Sequence, residues 1–227
     1  MSVLVKICGL ATEEAVDTAR AHGADMAGFV FHEQSPRHVS LELAALLGRR
    51  TGTRMRKVLL TVDAGDALLA AAISALDPAL LQLHGGETPE RAASIRARFG
   101  LPVIKALGIG APDDLPLIPQ FDEVADFLLF DAKPAPLAKS PGGSGKRFDW
   151  EMLGGIKTKK PWLLAGGLHA ENVAQALTET GASGVDVSSG VERAPGMKDA
   201  AKIAAFIAAA RRAAADSSRN RGAMSSP

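Results

Sequence analysis

Short apolar runs alternate with helix-forming stretches along nearly the whole chain, and this alternation constrains the fold more strongly than any other feature. Eight runs have the length and composition of buried strands: Val3–Cys8, Met26–Phe31, Arg56–Val62, Leu80–His84, Val103–Leu107, Phe127–Asp131, Trp162–Ala165 and Gly184–Val187. Because strands joined through a helix run in the same direction, the pattern predicts a parallel sheet covered by helices.

Capping residues mark several of the helices between these strands. Thr12, Ser40 and Thr88 occupy N-cap positions, where a side-chain oxygen accepts a hydrogen bond from the first turn. Three prolines within 112–119 leave room for only a short helix after the fifth strand. The last helix is predicted to extend over about 197–214.

Two architectures combine parallel strands with helices in this way, the closed (β/α)8 barrel and the open doubly wound sheet. A dinucleotide-binding open sheet carries the pattern G-x-G-x-x-G directly after its first strand, but Gly9 stands alone there. Eight predicted strands in 227 residues fit one barrel domain. The predicted fold class is therefore α/β, a single-domain (β/α)8 TIM barrel.

Two segments lack a regular pattern. The stretch Ala132–Lys146 is rich in proline and glycine, which predicts a long mobile loop followed by a helix that starts near Phe148. Residues 216–227 are polar with little apolar content, so a disordered C-terminal tail is expected. The catalytic domain is accordingly assigned to residues 1–215.

Charge and cysteine content narrow the function classes. Lysine and arginine total 26 and aspartate and glutamate 25, so the net charge of +1 argues against nucleic acid or an anionic membrane as the main partner. The apolar runs are far shorter than the roughly 20 residues that cross a bilayer. One cysteine allows no internal disulfide, so we expect a soluble cytoplasmic protein, either a monomer or a homodimer.

In a (β/α)8 barrel, catalytic residues lie at the C-terminal ends of strands and in the loops that follow them. Gly166 and Gly167 follow the seventh strand, and Ser189 and Gly190 follow the eighth, where barrels commonly bind phosphate. These turns predict a phosphate site. The alternative is a pair of tight turns that bind nothing.

Cys8 and Asp131 end the first and sixth strands. Lys6 shares the strand face of Cys8 and favours a thiolate there, although a buried cysteine is often only a small apolar side chain. Asp131 closes an apolar run, where burial favours the protonated form and makes it a candidate proton donor. The alternative for Asp131 is an ion pair with Lys133.

Four further residues have open roles. Arg37 lies on a proline-containing loop, where it either grips a carboxylate through two N–H groups or is a solvated charge. His84 either polarises the substrate or only forms hydrogen bonds at the rim of the barrel. Asp63 and Lys105 are expected to pair with their neighbours.

No metal or cofactor is predicted. The five histidines show no ligand spacing, and a single cysteine excludes a thiolate cluster. The sequence contains neither a Walker-type phosphate loop nor a serine nucleophile elbow.

An ordered set of motifs extends over nearly the whole chain, as far as about Phe206. It consists of Val5–Leu10, Gly28–Phe31 with Ser35–Arg37, Gln82–Gly85, Leu129–Lys133, Gly142–Lys146 with Phe148–Trp150, Ala165–Leu168 with Glu171–Val173, Val185–Glu192, and Pro195–Gly196. In order and spacing these motifs resemble the phosphoribosylanthranilate isomerase family. Each motif alone is weak, whereas the ordered set is highly specific.

The resemblance implies an aldose–ketose isomerase of tryptophan biosynthesis that needs no cofactor. Its reaction is the Amadori rearrangement of N-(5′-phosphoribosyl)anthranilate to 1-(2-carboxyphenylamino)-1-deoxyribulose 5-phosphate. The resemblance also implies that Asp131 protonates the furanose ring oxygen and that Cys8, as thiolate, removes the proton from C2′. Arg37 would hold the anthranilate carboxylate, and His84 and Asp186 would line the site. The phosphate would be held by Gly166, Gly167, Ser189 and Gly190.

Three other functions were weighed against this one. Indole-glycerol-phosphate synthase is a related barrel, but the lysine acid and paired glutamates of its chemistry are not found at the strand ends. Intact Cys8 and Asp131 argue against a barrel that binds phosphorylated metabolites without turnover. A broadened specificity, in which the site also isomerises the phosphoribosyl-imidazole intermediate of histidine synthesis, stays open.

Overall fold

A computed structural model of the chain describes residues 3–133 and 149–224, with side chains as far as 216. Eight parallel strands are hydrogen-bonded in chain order, and β8 pairs with β1 to close a barrel. The strands are β1 (Leu4–Cys8), β2 (Met26–Phe31), β3 (Arg56–Thr61), β4 (Leu80–Leu83), β5 (Val103–Ile109), β6 (Phe127–Ala132), β7 (Trp162–Leu164) and β8 (Gly184–Val187). The predicted (β/α)8 TIM barrel is confirmed.

Helices cover the outside of the barrel: α1 (Glu13–Ala21), α2 (Leu41–Thr51), α3 (Asp66–Leu76), α4 (Pro89–Phe99), α5 (Ile118–Val124), α6 (Val173–Thr180) and α7 (Ala200–Met224). Short 3₁₀ turns lie at Pro112–Leu117, Trp150–Leu153 and Ser189–Val191. The predicted N-caps are confirmed, because the side chains of Thr12, Ser40 and Thr88 each accept a hydrogen bond from a backbone N–H in the first helical turn.

Alternation along each strand sends successive side chains inward and outward. The inward residues near the N-terminal ends form an apolar cluster inside the barrel: Met26, Val58, Leu80, Ile104, Ala106, Leu129, Leu163 and Ala165. One step further along the strands, the inward positions hold the buried polar side chains of Lys6, Gln82 and Asp186. The barrel therefore has an apolar floor beneath a polar upper layer, and the chemistry is confined to one end.

The end of the chain differs from the prediction. Met197–Lys198 forms strand β10, which pairs antiparallel with β9 (Glu192–Ala194), so the last helix begins only at Ala200. The helix continues to Met224, through most of the segment for which the sequence predicts disorder. The predicted loop and helix start between 134 and 148 lie outside the described residues.

A buried ion pair fixes the loops that follow β3 and β4. The ammonium group of Lys105 lies 2.7 Å from Oε2 of Glu87 and donates to the carbonyl of Gly85 at the same distance. The Glu87 carboxylate also accepts hydrogen bonds from the backbone N–H groups of Asp63 and Gly85, both at 2.9 Å. The expectation that Lys105 pairs with a neighbour is confirmed, and its partner is Glu87.

Removing the Glu87 carboxylate is expected to destabilise the barrel. The Glu87→Ala variant leaves the Lys105 ammonium buried without a countercharge, which costs about 3–5 kcal/mol. Urea denaturation monitored by circular dichroism measures the loss. Glu123→Ala is the matched control, because Glu123 pairs with Lys159 at the surface and such pairs contribute about 1 kcal/mol or less. Equal effects of the two variants would contradict the role given to Glu87.

Candidate active site

The predicted site residues all lie at the C-terminal end of the barrel. Cys8 is the last residue of β1, Asp131 is the penultimate residue of β6, and Asp186 lies in β8. Arg37 and His84 follow β2 and β4. The remaining predicted residues, Gly166, Gly167, Ser189 and Gly190, belong to the turns after β7 and β8.

The turns after β7 and β8 form one pocket, which is lined by Asp131, Ala165–Leu168 and Asp186–Gly190. The two turns touch each other, since a Cβ on Gly190 would lie 1.9 Å from the carbonyl oxygen of Leu168. Only glycine allows this approach. Asn172 braces the first turn by donating from Nδ2 to the carbonyl of Gly167 at 2.9 Å. The pocket walls are therefore largely backbone, as a site for an oxyanion requires.

Asp131 borders this pocket from the β6 side and contacts His84. The Asp131 side chain has an exposed fraction of 11%, and its Oδ2 lies 3.4 Å from Nε2 of His84. On its other side, Nδ1 of the His84 ring lies 2.8 Å from Nε2 of Gln82. The alternative pairing of Asp131 with Lys133 is wrong, because Lys133 forms its ion pair with Asp114. Asp131 therefore faces the pocket, and the nearby Lys133 does not neutralise its charge.

Cys8 lies on the inner wall of the barrel beside the ammonium group of Lys6. Gly28 lies opposite Cys8 in the register of β1 and β2. A Cβ at Gly28 would be 2.8 Å from Sγ of Cys8 and 3.1 Å from Nζ of Lys6, so glycine provides the space that both groups occupy. Lys6 in turn donates to Oδ1 of Asp186 at 2.8 Å inside the barrel. The thiol, the ammonium group and the carboxylate are thus packed in sequence across β1 and β8.

The charges around Cys8 act in opposite directions. Burial raises the pKa of the Cys8 thiol and is the largest influence. Lys6 and, more weakly, Lys198 lower this pKa, whereas Asp186 raises it, and the net pKa is above the ordinary value. The pKa of Lys6 is also raised, since the attraction of Asp186 and Cys8 outweighs the effect of burial. Lys6 therefore favours the thiolate as predicted, but burial keeps Cys8 protonated while no ligand is bound.

Arg37 is held by an acidic partner. Its Nε and Nη2 donate to the two carboxylate oxygens of Glu192 at 2.7 and 2.8 Å. Both side chains are buried, so the alternative of a solvated loop charge is wrong. Lys198 lies 2.7 Å from the same Glu192 carboxylate and donates to the carbonyl of Ser188 at 3.0 Å. Burial alone would raise the pKa of Glu192, but Arg37 and Lys198 together lower it, and the carboxylate stays charged.

Sequence reasoning missed the roles of Glu192 and Lys198. Glu192 belongs to a motif of the resemblance, but nothing local indicates that it faces Arg37, which lies 155 positions earlier. Lys198 falls in a segment predicted to be helical, where a lysine suggests a solvated side chain. Its side chain is 3% exposed because the β9–β10 hairpin folds it back over the end of β8. The sequence signal available for both residues was a charged side chain, without an obvious partner, that follows the turn after β8.

Within residues 3–133 and 149–216, no group of three or more histidine, cysteine, aspartate or glutamate side chains is arranged to hold a metal ion. None of the described helices is both long and apolar enough to span a bilayer.

The fold and the site together define a class of protein. A closed (β/α)8 barrel with a pocket between the glycine-containing turns after β7 and β8, bordered by the carboxyl group of Asp131, has the layout of a barrel enzyme for phosphorylated metabolites. The family model described as N-(5′-phosphoribosyl)anthranilate (PRA) isomerase matches residues 5–209. The chain belongs to this family, and it is an enzyme of the isomerase class.

Relatives and solved structures agree with this assignment. The N-(5′-phosphoribosyl)anthranilate isomerase of Beijerinckia indica is 62% identical over 220 residues, which covers 97% of this chain and 99% of the relative. The crystal structure of the Thermotoga maritima enzyme superposes with a TM-score of 0.83 at 34% identity, over 92% and 99% of the two chains. A phosphoribosylanthranilate isomerase in complex with reduced 1-(o-carboxyphenylamino)-1-deoxyribulose 5-phosphate superposes with a TM-score of 0.79 at 31% identity, with the same coverage.

The protonation state of Cys8 can be measured directly. The chain has one cysteine and no tyrosine, so the ultraviolet absorbance of the thiolate is free of tyrosinate absorbance. Because burial is the largest influence, we expect the native protein to titrate above the ordinary pKa of about 8.5. Lys198→Met should move the midpoint higher still, since Lys198 lowers the pKa of Cys8. The protein unfolded in urea is the control, and a native midpoint at or below its value would contradict this electrostatic account.

Proposed function

We propose that this chain catalyses the Amadori rearrangement of N-(5′-phosphoribosyl)anthranilate to 1-(2-carboxyphenylamino)-1-deoxyribulose 5-phosphate, with Asp131 as the general acid and Cys8 as the general base. One observation carries the proposal. The anion pocket after β7 and β8 lies between the end of β1, which holds Cys8, and the end of β6, which holds Asp131. A sugar anchored in the pocket by its phosphate therefore has an acid and a base on its two sides.

The charge of the site suits a substrate with two anionic ends. Arg37 and Lys198 share the single countercharge of Glu192, which leaves positive charge in excess near the pocket. The pairing with Glu192 uses Nε and one N–H of Nη2, so the Nη1 end of Arg37 is available for a second carboxylate. We assign the phosphate to the turns at Gly166–Gly167 and Ser189–Gly190, and the anthranilate carboxylate to Arg37.

The first step is ring opening. Protonated Asp131 donates its proton to the furanose ring oxygen, the bond between C1′ and this oxygen breaks, and the nitrogen lone pair forms the C1′=N bond of a cationic Schiff base. His84 faces the carboxylate that remains on Asp131. Burial of Asp131 and His84 at the rim of the pocket strengthens this interaction, because water screens it poorly.

The second step is proton removal from C2′. The cationic Schiff base acidifies the C2′ proton, and its positive charge, like that of Lys6 and Lys198, favours loss of the Cys8 thiol proton to water, which leaves the thiolate. The thiolate accepts the proton, and the electron pair of the C2′–H bond forms the enolamine. The enolamine tautomerises to the ketoamine product. Substrate and product have the same composition, so the reaction requires no external oxidant or reductant.

The working compartment follows from the same thiol. A lone cysteine that acts as a base must stay reduced, and a reducing compartment protects it from oxidation. We therefore assign the protein to the cytoplasm.

Removal of either proposed catalytic group is expected to abolish most of the turnover. In Cys8→Ala and in Asp131→Asn, kcat should fall by at least about 10²-fold, since a positioned acid or base contributes about 10² to 10⁴. The assay follows the loss of anthranilate-type fluorescence with freshly generated substrate. Asp113→Asn is the matched control, because Asp113 is an exposed aspartate outside the site.

The outcomes separate the function from the roles. Turnover by the wild type with an unchanged rate in one variant would overturn the role of that residue and leave the reaction standing. A folded wild type without turnover would overturn the reaction, and the phosphoribosyl-imidazole substrate of histidine synthesis would be tested next.

Arg37→Lys tests the carboxylate assignment. A lysine cannot hold Glu192 and a substrate carboxylate with two N–H groups each, so it loses about 1.5–3 kcal/mol of charged hydrogen bonding. This loss corresponds to a rise in KM of roughly 10- to 150-fold. The comparison substrate is phosphoribosyl-aniline, which lacks the carboxylate and should show no such rise. The exposed Arg54 supplies the control variant Arg54→Lys. An equal effect on both substrates would show that Arg37 does not hold the carboxylate.

A further inference from the structure

The carboxamide of Gln82 is wholly buried inside the barrel, beneath the active site. Its neighbours in the strand register are Leu60 of β3 and Ile104 of β5, both apolar. The nitrogen of the amide lies 2.8 Å from Nδ1 of His84. The oxygen, Oε1, has no hydrogen-bond partner among the described residues. Leaving a buried acceptor unpaired is costly, so an apolar side chain of the same length would fit this position better if packing alone mattered.

The contact with His84 determines which ring nitrogen carries the proton. A neutral imidazole has one donor and one acceptor nitrogen. With the amide N–H of Gln82 directed at Nδ1, the contact is that of the tautomer which accepts at Nδ1 and carries its proton on Nε2. Nε2 is the nitrogen that faces Oδ2 of Asp131 at 3.4 Å. The arrangement therefore presents an N–H donor to an ionised Asp131, which is the state that Asp131 reaches after donating its proton.

The unpaired oxygen of Gln82 suits the state in which Asp131 is protonated and His84 carries its proton on Nδ1. If the carboxamide rotates by half a turn, Oε1 accepts a hydrogen bond from a proton on Nδ1. The lone pair of Nε2 then faces Asp131 and accepts from its protonated carboxyl group. A carboxamide, which has a donor and an acceptor of nearly equal shape, serves both tautomers of His84. A carboxylate in place of the carboxamide could only accept the proton of Nδ1. A thioether could neither donate to Nδ1 nor accept from it with comparable strength.

We propose that Gln82 is a positioning residue of the isomerase, which matches the tautomer of His84 to the protonation state of Asp131. Gln82 touches neither substrate nor reacting atoms and acts only through the imidazole ring. This inference rests on the proposed role of Asp131 as the general acid. The selection of the His84 tautomer, by contrast, is a property of the protein without substrate and is measured independently of activity.

Gln82→Met removes both hydrogen-bonding groups and keeps the length of the side chain. Methionine suits an apolar surrounding, so we expect thermal unfolding close to that of the wild type. We expect kcat to fall about 10- to 100-fold, a part of the factor of about 10² to 10⁴ that a positioned acid contributes. KM should change less than about threefold, because the phosphate and carboxylate sites are untouched. Gln175→Met is the matched control, since Gln175 is an exposed glutamine on α6.

Nitrogen-15 NMR of the substrate-free protein supplies the readout that packing alone would not change. In the wild type, at a pH where Asp131 is ionised, the ring nitrogens of His84 should show the tautomer protonated at Nε2, and the spectrum of His84→Gln identifies the signals. In Gln82→Met the two tautomers should approach their ratio in a free imidazole. In Gln82→Leu, which also removes both hydrogen-bonding groups, the same change is expected. Should Gln82→Met misfold, Gln82→Leu carries the tautomer test.

Three results would overturn the inference. An unchanged His84 tautomer in both variants would show that Gln82 does not select it. A wild-type kcat in Gln82→Met, together with a shifted tautomer, would show that the tautomer is irrelevant to turnover. An equal loss in Gln175→Met would mark a non-specific effect. By contrast, if Asp131→Asn keeps its activity while the tautomer shifts as expected, the acid role of Asp131 fails and the selection by Gln82 stands.

Discussion

The pairing of β8 with β1 is the interaction on which the rest of the structure depends. It closes the hydrogen-bond ladder, and it sets Lys6 opposite Asp186, a residue 180 positions away along the chain. An open sheet would leave the Lys6 ammonium without its countercharge in the apolar interior, where an unpaired charge is strongly disfavoured. The same closure brings the turn after β8 beside the end of β1. Sheet topology, buried charge and the position of Cys8 are therefore determined by one strand pairing.

Local pattern was sufficient to predict the barrel, because strand runs, caps and turn residues are encoded within short windows. It also located the strand ends at which Cys8, Asp131 and the phosphate turns lie. It failed where a side chain finds a partner that is distant in sequence, since spacing carries no information about such contacts. Arg37 is the clearest case, because its partner Glu192 lies on a hairpin that the sequence did not predict. The rotamer of Gln82 and its contact with His84 are equally beyond any pattern.

Burial and the neighbouring lysines have opposite effects on the pKa of Cys8, the proposed general base. A permanently ionised Cys8 would be a reactive nucleophile, subject to oxidation and alkylation. Burial protects it by favouring the thiol, and the two nearby lysines keep the cost of ionisation moderate. In the proposed mechanism, the cationic Schiff base supplies further positive charge when the base is needed, so activation of the thiol would be coupled to the presence of the intermediate on which it acts.

The β9–β10 hairpin joins both ends of the substrate site within one short stretch of chain. Lys198 binds the carbonyl of Ser188, at the phosphate turn, and the Glu192 carboxylate that orients Arg37. The proposed phosphate turn and the proposed carboxylate ligand Arg37 are consequently linked through the ion pairs and hydrogen bonds of this one segment. Under those assignments, the connection between the last strand and the last helix favours ligands whose two anionic ends match the spacing between the turn and Arg37.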